Sequence, residues 1–75
     1  MTTAYLVTVG EPDIDGVMAD EFEEALILVG RLIGRLNDDE DYVGKYIYVV
    51  EYMLSENGSY VKQDGLYSNR FLIEK

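Results

Sequence analysis

The apolar positions in the first half of the chain predict one strand and one helix. Residues 3 to 9, TAYLVTV, alternate apolar side chains between two faces, which is the period of a β-strand. Two glycines and a proline then predict a loop over residues 10 to 18. From about residue 20 to residue 36, apolar side chains recur at spacings of four and three, which aligns them on one face of a helix. The residues on that face are Phe22, Leu26, Val29, Ile33 and Leu36.

Both ends of this helix carry residues that are typical of helix boundaries. Asp20 is expected to cap the first turn, and Glu23, three residues later, completes the pattern of a capping box. Asn37 follows the last apolar position and is expected to end the helix in the left-handed conformation. Ile27 and Leu28 are expected to point away from the apolar stripe.

The second half of the chain begins with the strongest strand pattern. In residues 45 to 54, KYIYVVEYML, one face carries Ile47, Val49 and Met53. The other face carries Val50 and the tyrosines at positions 46, 48 and 52. If no other element covers these tyrosines, they form a candidate contact surface, because tyrosine is enriched in binding hot spots.

Turn signals divide the remaining residues into one or two further strands. In ENGS, residues 56 to 59, Asn57-Gly58 is expected at a hairpin turn whose two central residues need positive φ. A strand then begins at Ser59. Either Asp64-Gly65 ends it and a fourth strand follows, or Gly65 forms a bulge in one long strand.

The order of these elements predicts an α+β fold made of a single domain over residues 1 to 75. We expect a single helix packed on a small antiparallel sheet of three to four strands, in the order β-α-β-β or β-α-β-β-β. We see no internal repeat.

Composition excludes much of the chemistry that small enzymes use. The chain contains no cysteine and no histidine, so it lacks the best nucleophile and the commonest general base. The sequence GRLIG lacks the lysine of a phosphate-binding loop. We therefore expect no catalysis and no cofactor. No signal peptide or bilayer span is recognisable, and a chain without cysteine suits a reducing cytoplasm.

The net charge of −9 lies entirely in the first part of the chain. Residues 45 to 75 contain four acids and four bases, whereas residues 1 to 44 contain eleven acids and two bases. Such a local field steers association with a basic protein and opposes direct binding of nucleic acid. The candidate partner-binding residues are Glu11, Asp13, Asp15, Asp20, Glu21, Glu23, Glu24, Asp38, Asp39, Glu40 and Asp41.

The same carboxylates do not form a recognisable metal site. EPDIDG, residues 11 to 16, matches the first six positions of a calcium loop, but Phe22 stands where the loop needs a bidentate glutamate. In NDDED, residues 37 to 41, the next residue is Tyr42 where the loop needs glycine. We therefore expect no dedicated metal site.

Helix stability explains only some of the acids. The helix dipole favours carboxylates in the first turn and disfavours them after the last turn, where residues 38 to 41 lie. One interpretation is a binding surface that imitates the phosphate track of a duplex, since carboxylates at both ends of a helix of residues 20 to 36 span something like a turn of DNA. The other is a solvated surface that serves only solubility.

The segments EPDIDGVMADEFEE and NDDED, together with the small size, the absence of cysteine and histidine and the order of elements, make the chain resemble small acidic phage-encoded anti-CRISPR proteins. Some members of this class are DNA mimics. The resemblance implies binding to a Cas effector in the cytoplasm of the host bacterial cell, with its DNA-entry or PAM-reading surface blocked. The expected target is the large PAM-reading subunit of a type I surveillance complex, and type I-C is the first subtype to test.

An alternative function is a small interaction or assembly protein. Gly30 and Gly34 lie one turn apart on the flank of the helix, beside Ile27. They either allow a neighbouring strand or loop to approach closely or mark the contact of a helix–helix homodimer. Because internal packing is the commoner role, we expect a monomer.

Overall fold

The computed structural model describes residues 3–12, 16–62 and 68–75, and within these ranges one helix packs on one face of an antiparallel sheet. This arrangement confirms the α+β class and the single packed helix that the sequence predicts. Among the described residues the sheet has five strands, one more than the three to four expected. The elements are β1 (Thr3–Val9), β2 (Val17–Ala19), α1 (Phe22–Leu36), β3 (Tyr46–Leu54), β4 (Tyr60–Lys62) and β5 (Asn69–Leu72).

β1 and β3 form the centre of the sheet. Their antiparallel register places Leu6 opposite Val50 and Val9 opposite Ile47. β2 pairs with the other side of β1, while β4 and β5 both pair with the other side of β3. Among the described residues, β2 is therefore an edge strand.

The structure corrects the predicted loop over residues 10 to 18, because its last residues form β2. Met18 pairs with Leu6 and Ala19 with Tyr5. A three-residue strand is too short to show the alternation by which strands are recognised. It forms because β1 offers an unpaired backbone beside it and because Gly16 lets the chain approach β1 closely.

The open question about residues 59 to 74 is partly answered. β4 and β5 both run antiparallel to β3, β4 beside its C-terminal part and β5 beside its N-terminal part. The chain therefore follows the same edge of β3 in two short strands. The turn predicted at Asp64-Gly65 and the bulge at Gly65 lie outside the described residues.

The hairpin between β3 and β4 lies where the sequence places it, but its loop is longer. The N–H of Ser55 donates to the carbonyl of Ser59 at 2.8 Å, and the N–H of Gly58 donates to the carbonyl of Ser55 at 3.0 Å. Gly58 has a φ of 87°, as a left-handed turn residue requires. Three residues, 56 to 58, thus connect the closing pair, and the predicted two-residue turn is wrong in length.

The first turn of the helix differs from the prediction. α1 begins at Phe22, and Glu21 at the N-cap is extended, with φ −126° and ψ 149°. No side chain caps the helix, so the capping box of Asp20 and Glu23 is wrong. The chain leaves β2 at Ala19 and is still extended at position 21, which delays the helix by two residues.

The helix ends at the predicted residue, but Asn37 does not adopt the predicted left-handed conformation. Asn37 is right-handed, with φ −66° and ψ −16°, and its N–H donates to the carbonyl of Ile33 at 2.9 Å. The N–H of Asp39 then donates to the carbonyl of Leu36 at 3.0 Å. These successive turns satisfy the carbonyls of Ile33 and Leu36 without a left-handed residue at position 37.

The core lies between α1 and one face of the sheet. Its centre on the helix is formed by Ala25 and Val29, whereas Phe22 and Leu26 lie at its margin and are 37% and 38% exposed. Leu28, which the sequence analysis directs away from the core, packs against it. The buried core residues are Val7, Ala19, Ala25, Val29, Ile47, Val49 and Ile73.

The opposite face of the sheet is not an open tyrosine surface. Val50 on this face is 1% exposed, and Tyr46, Tyr48 and Tyr52 around it are half-buried. The guanidinium carbon of Arg70 lies 4.4 Å from the centroid of the Tyr46 ring, within the range of a cation–π contact. Because the tyrosines on this face are half-buried, the exposed acidic residues are the stronger candidates for a binding site.

Candidate acidic binding surface

The first group of acids surrounds the start of α1. We call Asp20, Glu21, Glu23 and Glu24 the 20–24 cluster, and all four side chains are exposed. Glu23 and Glu24 lie in the first helical turn, where the exposed N–H groups of the backbone favour negative charge. The edge strand β2 ends immediately before them, so the cluster lies at the junction of β2 and α1.

The second group of acids follows the end of α1. We call Asp38, Asp39, Glu40 and Asp41 the 38–41 cluster; three of these side chains are exposed, and Asp39 is half-buried. The Oδ1 atom of Asp39 accepts the N–H of Asp41 at 3.0 Å, and its carbonyl accepts the N–H groups of Tyr42 and Val43. These hydrogen bonds hold the acidic turn in one conformation. Arg35 borders the same surface.

The helix separates the two clusters by a defined distance. α1 contains 15 residues, so at 1.5 Å per residue its ends are about 21 Å apart. B-DNA repeats after roughly 34 Å, so the helix alone spans about two thirds of a turn. The acids at positions 20, 21 and 38 to 41 lie beyond the ends of the helix and extend this span.

Glu11 lies at the same end of the sheet as the 38–41 cluster. The N–H of the preceding Gly10 donates to the carbonyl of Tyr46 at the start of β3, at 2.8 Å. The carbonyl of Glu11 accepts the hydroxyl of the buried Thr8 at 2.8 Å, which fixes its backbone. Asp13 and Asp15 belong to the same predicted surface but lie outside the described residues.

The helix surface between the clusters carries no acid. Ile27 is 56% exposed, and Gly30 and Gly34 lie beside it along the outer side of the helix. A Cβ atom placed on either glycine would meet no described atom within 4 Å, leaving aside the helix's own nearby backbone. The interpretation that these glycines admit a neighbouring strand or loop is therefore wrong for the described part of the chain.

The two clusters act as separate charges in solution. At physiological ionic strength the Debye length is about 8 Å, well below the roughly 21 Å between them. Among the described residues, no ion pair neutralises either cluster. A surface that contacted both ends of α1 would therefore meet two independent groups of carboxylates.

Neither a metal centre nor a membrane span emerges from the described residues. In these ranges, no three acidic side chains converge closely enough to hold a metal ion. Gly16, which matched the glycine of a calcium loop, instead allows the backbone to pass close to Val7. Within the described part of the chain, no helix combines the length and the apolar character that crossing a membrane requires.

Sequence reasoning missed a groove between β2 and α1, lined by Val17, Leu28 and Leu32 and bordered by Arg31 and Arg35. The recurrence of residues 24, 28, 31 and 35 at spacings of four and three could have indicated a second helix stripe on this side.

Comparison with protein-family models, with curated proteins and with solved structures gives no match for this chain.

Proposed function

We propose that the protein is a protein-binding inhibitor that presents its two acidic clusters to the basic nucleic-acid-binding groove of a partner. It acts by DNA mimicry and without catalysis. The partner is a CRISPR–Cas effector complex in the cytoplasm of a host bacterial cell, and the inhibitor blocks recognition of the target DNA or of the PAM. In this proposal the chain is a small acidic phage-encoded anti-CRISPR protein.

One observation carries the proposal: two groups of four acids, all exposed except the half-buried Asp39, stand at opposite ends of a single helix. The acids of the 38–41 cluster oppose the helix dipole, so helix stability does not explain them. If the acids served only solubility, an excess of acids would also be expected in residues 45 to 75. The formal charges of that part of the chain sum to zero. A function of the acids in binding accounts for both features.

The geometry specifies what the partner surface must offer. A partner that contacts both clusters needs two basic patches about 21 Å apart. A groove that binds duplex DNA meets this requirement. It carries basic residues along its length because the phosphates of the bound duplex follow one another along that length. The neutral helix surface at Ile27, Gly30 and Gly34 then faces the space between the patches.

The resemblance to anti-CRISPR proteins supports a specific first target. A subunit that reads a PAM binds duplex DNA in a basic groove before the guide RNA pairs with the target strand. Occupying that groove prevents all later steps, so a 75-residue inhibitor is large enough. We therefore propose the large PAM-reading subunit of a type I surveillance complex, with type I-C tested first.

The test measures binding of the purified protein to a type I-C surveillance complex, and its competition with a PAM-containing duplex. Two double charge reversals, Asp20→Lys with Glu23→Lys and Asp38→Lys with Glu40→Lys, address the two clusters. The matched control is Glu56→Lys with Glu74→Lys, which makes the same change of charge at exposed positions in the neutral part of the chain.

We expect the parent protein to displace the duplex and to bind less tightly as salt rises. Each cluster reversal should weaken binding by at least about tenfold, whereas the control should change it by less than about threefold. Equal binding and competition by the parent and both cluster variants would refute DNA mimicry. Absence of binding to type I-C would refute that subtype, and the same assay then extends to other type I complexes.

A further inference from the structure

The free edge of the sheet and the adjacent flank of α1 form an apolar surface. Val17 and Met18 of β2 are 54% and 44% exposed, and Ile27 of the helix is 56% exposed. Between them runs the groove lined by Leu28 and Leu32. Glu24 borders this surface beside Met18 and Leu28, and the proposed function assigns no contact to the exposed side chains of β2.

We propose that a second copy of this chain covers this surface in a two-fold symmetric dimer. In this dimer β2 of one copy pairs antiparallel with β2 of the other, and the two α1 helices lie side by side on the same face of one continuous sheet. The dimer contact uses Glu24 of the 20–24 cluster but none of the other acids, so it goes beyond the proposed function while sharing this one residue with it.

The edge strand supplies the first argument. Among the described residues, β2 pairs only with β1, so its outer N–H and C=O groups face solvent. An unpaired edge with apolar side chains is a template for pairing with another strand unless charge, proline or a bulge protects it. Val17, Met18 and Ala19 carry no charge and no proline. Because β2 has only three residues, strand pairing alone would be weak, and the contact between the two helices supplies the rest of the interface.

The spacing of the layers supplies the second argument. α1 contacts both β1 and β2, so it lies over the boundary between these two strands. Neighbouring strands are about 4.8 Å apart, so joining the two β2 edges places the helices roughly two strand spacings, or about 10 Å, apart. Packed helices lie about 8–10 Å apart, so pairing the strands brings the helices into contact without distortion.

Charge complementarity supplies the third argument. Glu24, Leu28, Arg31 and Arg35 recur at spacings of four, three and four, so they share the flank of the helix that faces the β2 edge. In an antiparallel pair centred between residues 28 and 31, Glu24 faces Arg35 of the second copy and Arg35 faces its Glu24. Leu28 faces the aliphatic stem of Arg31. The two-fold axis relates these two ion pairs to each other and makes the contact between Leu28 and Arg31 twice.

The glycines of the helix lie outside this contact. At 100° per residue, Gly30 and Gly34 lie on the outer side of the helix, beyond Ile27, rather than on the flank beside β2. The expectation of a monomer rested on an internal packing role for these glycines, and no described residue packs against them. A dimer that used the glycines would place the helices one above the other and leave β2 unpaired.

Salt distinguishes the dimer from the complex with a basic partner. Each copy carries a formal charge of −9, so two copies repel at long range. Salt screens this repulsion and also weakens the two exposed Glu24–Arg35 pairs, but it leaves the apolar contacts in the groove and the hydrogen bonds between the strands intact. We therefore expect the dimer to tighten as salt rises, while the complex with a basic partner weakens.

The experiment is sedimentation equilibrium of the full chain at about 100 mM and 500 mM salt, with circular dichroism to confirm folding. We expect a reversible dimer for the parent. Glu24→Arg alone places two arginines together, and Arg35→Glu alone places two glutamates together, so each should weaken dimerisation by at least about tenfold. The double variant Glu24→Arg with Arg35→Glu should return to within about threefold of the parent, because it keeps the net charge and restores the pairs.

Three results would overturn the proposal. One is a parent protein that stays monomeric at both salt concentrations when the protein concentration is raised to about 1 mM. A dissociation constant above that value corresponds to a very weak association. Another is a folded charge-swap variant that does not recover the dimer. The third is loss of the dimer in Gly30→Leu with unchanged dimerisation in both single charge variants, which would place the contact on the glycines instead.

Discussion

The carbonyl oxygen of Val7 occupies the space that a side chain at position 16 would need. A Cβ atom placed on Gly16 would lie 2.1 Å from this oxygen and 2.9 Å from the Cγ2 atom of Thr8. The close approach brings the chain alongside β1 just before β2 begins. Position 16 therefore tolerates glycine alone, for a reason of packing rather than of metal binding.

Replacing this glycine tests the close approach. We expect Gly16→Ala to lower the free energy of unfolding by about 2–3 kcal/mol, because a methyl group cannot be placed beside the backbone of β1 without displacing it. Urea denaturation followed by circular dichroism measures the change. A variant as stable as the parent would show that the loop before β2 can move away from β1 at no cost.

The exposed glycines of the helix should respond in the opposite direction. Gly30→Ala and Gly34→Ala meet no described atom within 4 Å, so each should raise the free energy of unfolding by about 0.5–1 kcal/mol through a lower entropy of the unfolded chain. The same denaturation experiment measures these two variants, which are the matched controls for Gly16→Ala. Destabilisation by either substitution would mean that a part of the chain beyond the described residues packs against that glycine.

The distance between the acidic clusters predicts how the effects of their charge reversals on binding combine. Sites more than about 7–10 Å apart contribute independently, and the clusters are about 21 Å apart. We therefore expect the losses of binding free energy from the two double reversals to add within about 0.5 kcal/mol when all four changes are combined. Calorimetric titration measures the binding free energy of each of the three variants to the partner complex. A combined loss equal to the larger single loss would indicate that only one cluster touches the partner.

Calcium should have little effect on stability. Phe22 stands where a calcium loop needs glutamate, and Gly16 is already explained by its contact with Val7. Thermal melts in EDTA and in millimolar calcium should therefore nearly coincide, with a shift of less than about 3 °C, which corresponds to well under 1 kcal/mol for a domain of this size. A rise of about 10 °C would reveal a dedicated site that involves the acids before Gly16.

Hydrophobic periodicity alone was sufficient to locate β1, α1 and β3. Each of these elements has seven or more residues, so the alternation of a strand or the three-to-four spacing of a helix repeats often enough to be read. The α+β class follows from their order. The concentration of acids before residue 45 is likewise a property of the sequence, as is their position at the two ends of one helix.

Tertiary structure decided the features that depend on a neighbour. β2 exists because β1 offers a partner backbone, and its three residues carry no periodic signal of their own. The helix begins at Phe22 rather than at Asp20 because the chain is still extended when it leaves β2. Whether a helix position is buried depends on where the sheet lies: Leu28 reaches the core while Ile27, one residue earlier, is exposed. Local spacing determines which residues share a face of the helix, but only the packed sheet determines which face becomes the core and which remains available to another protein.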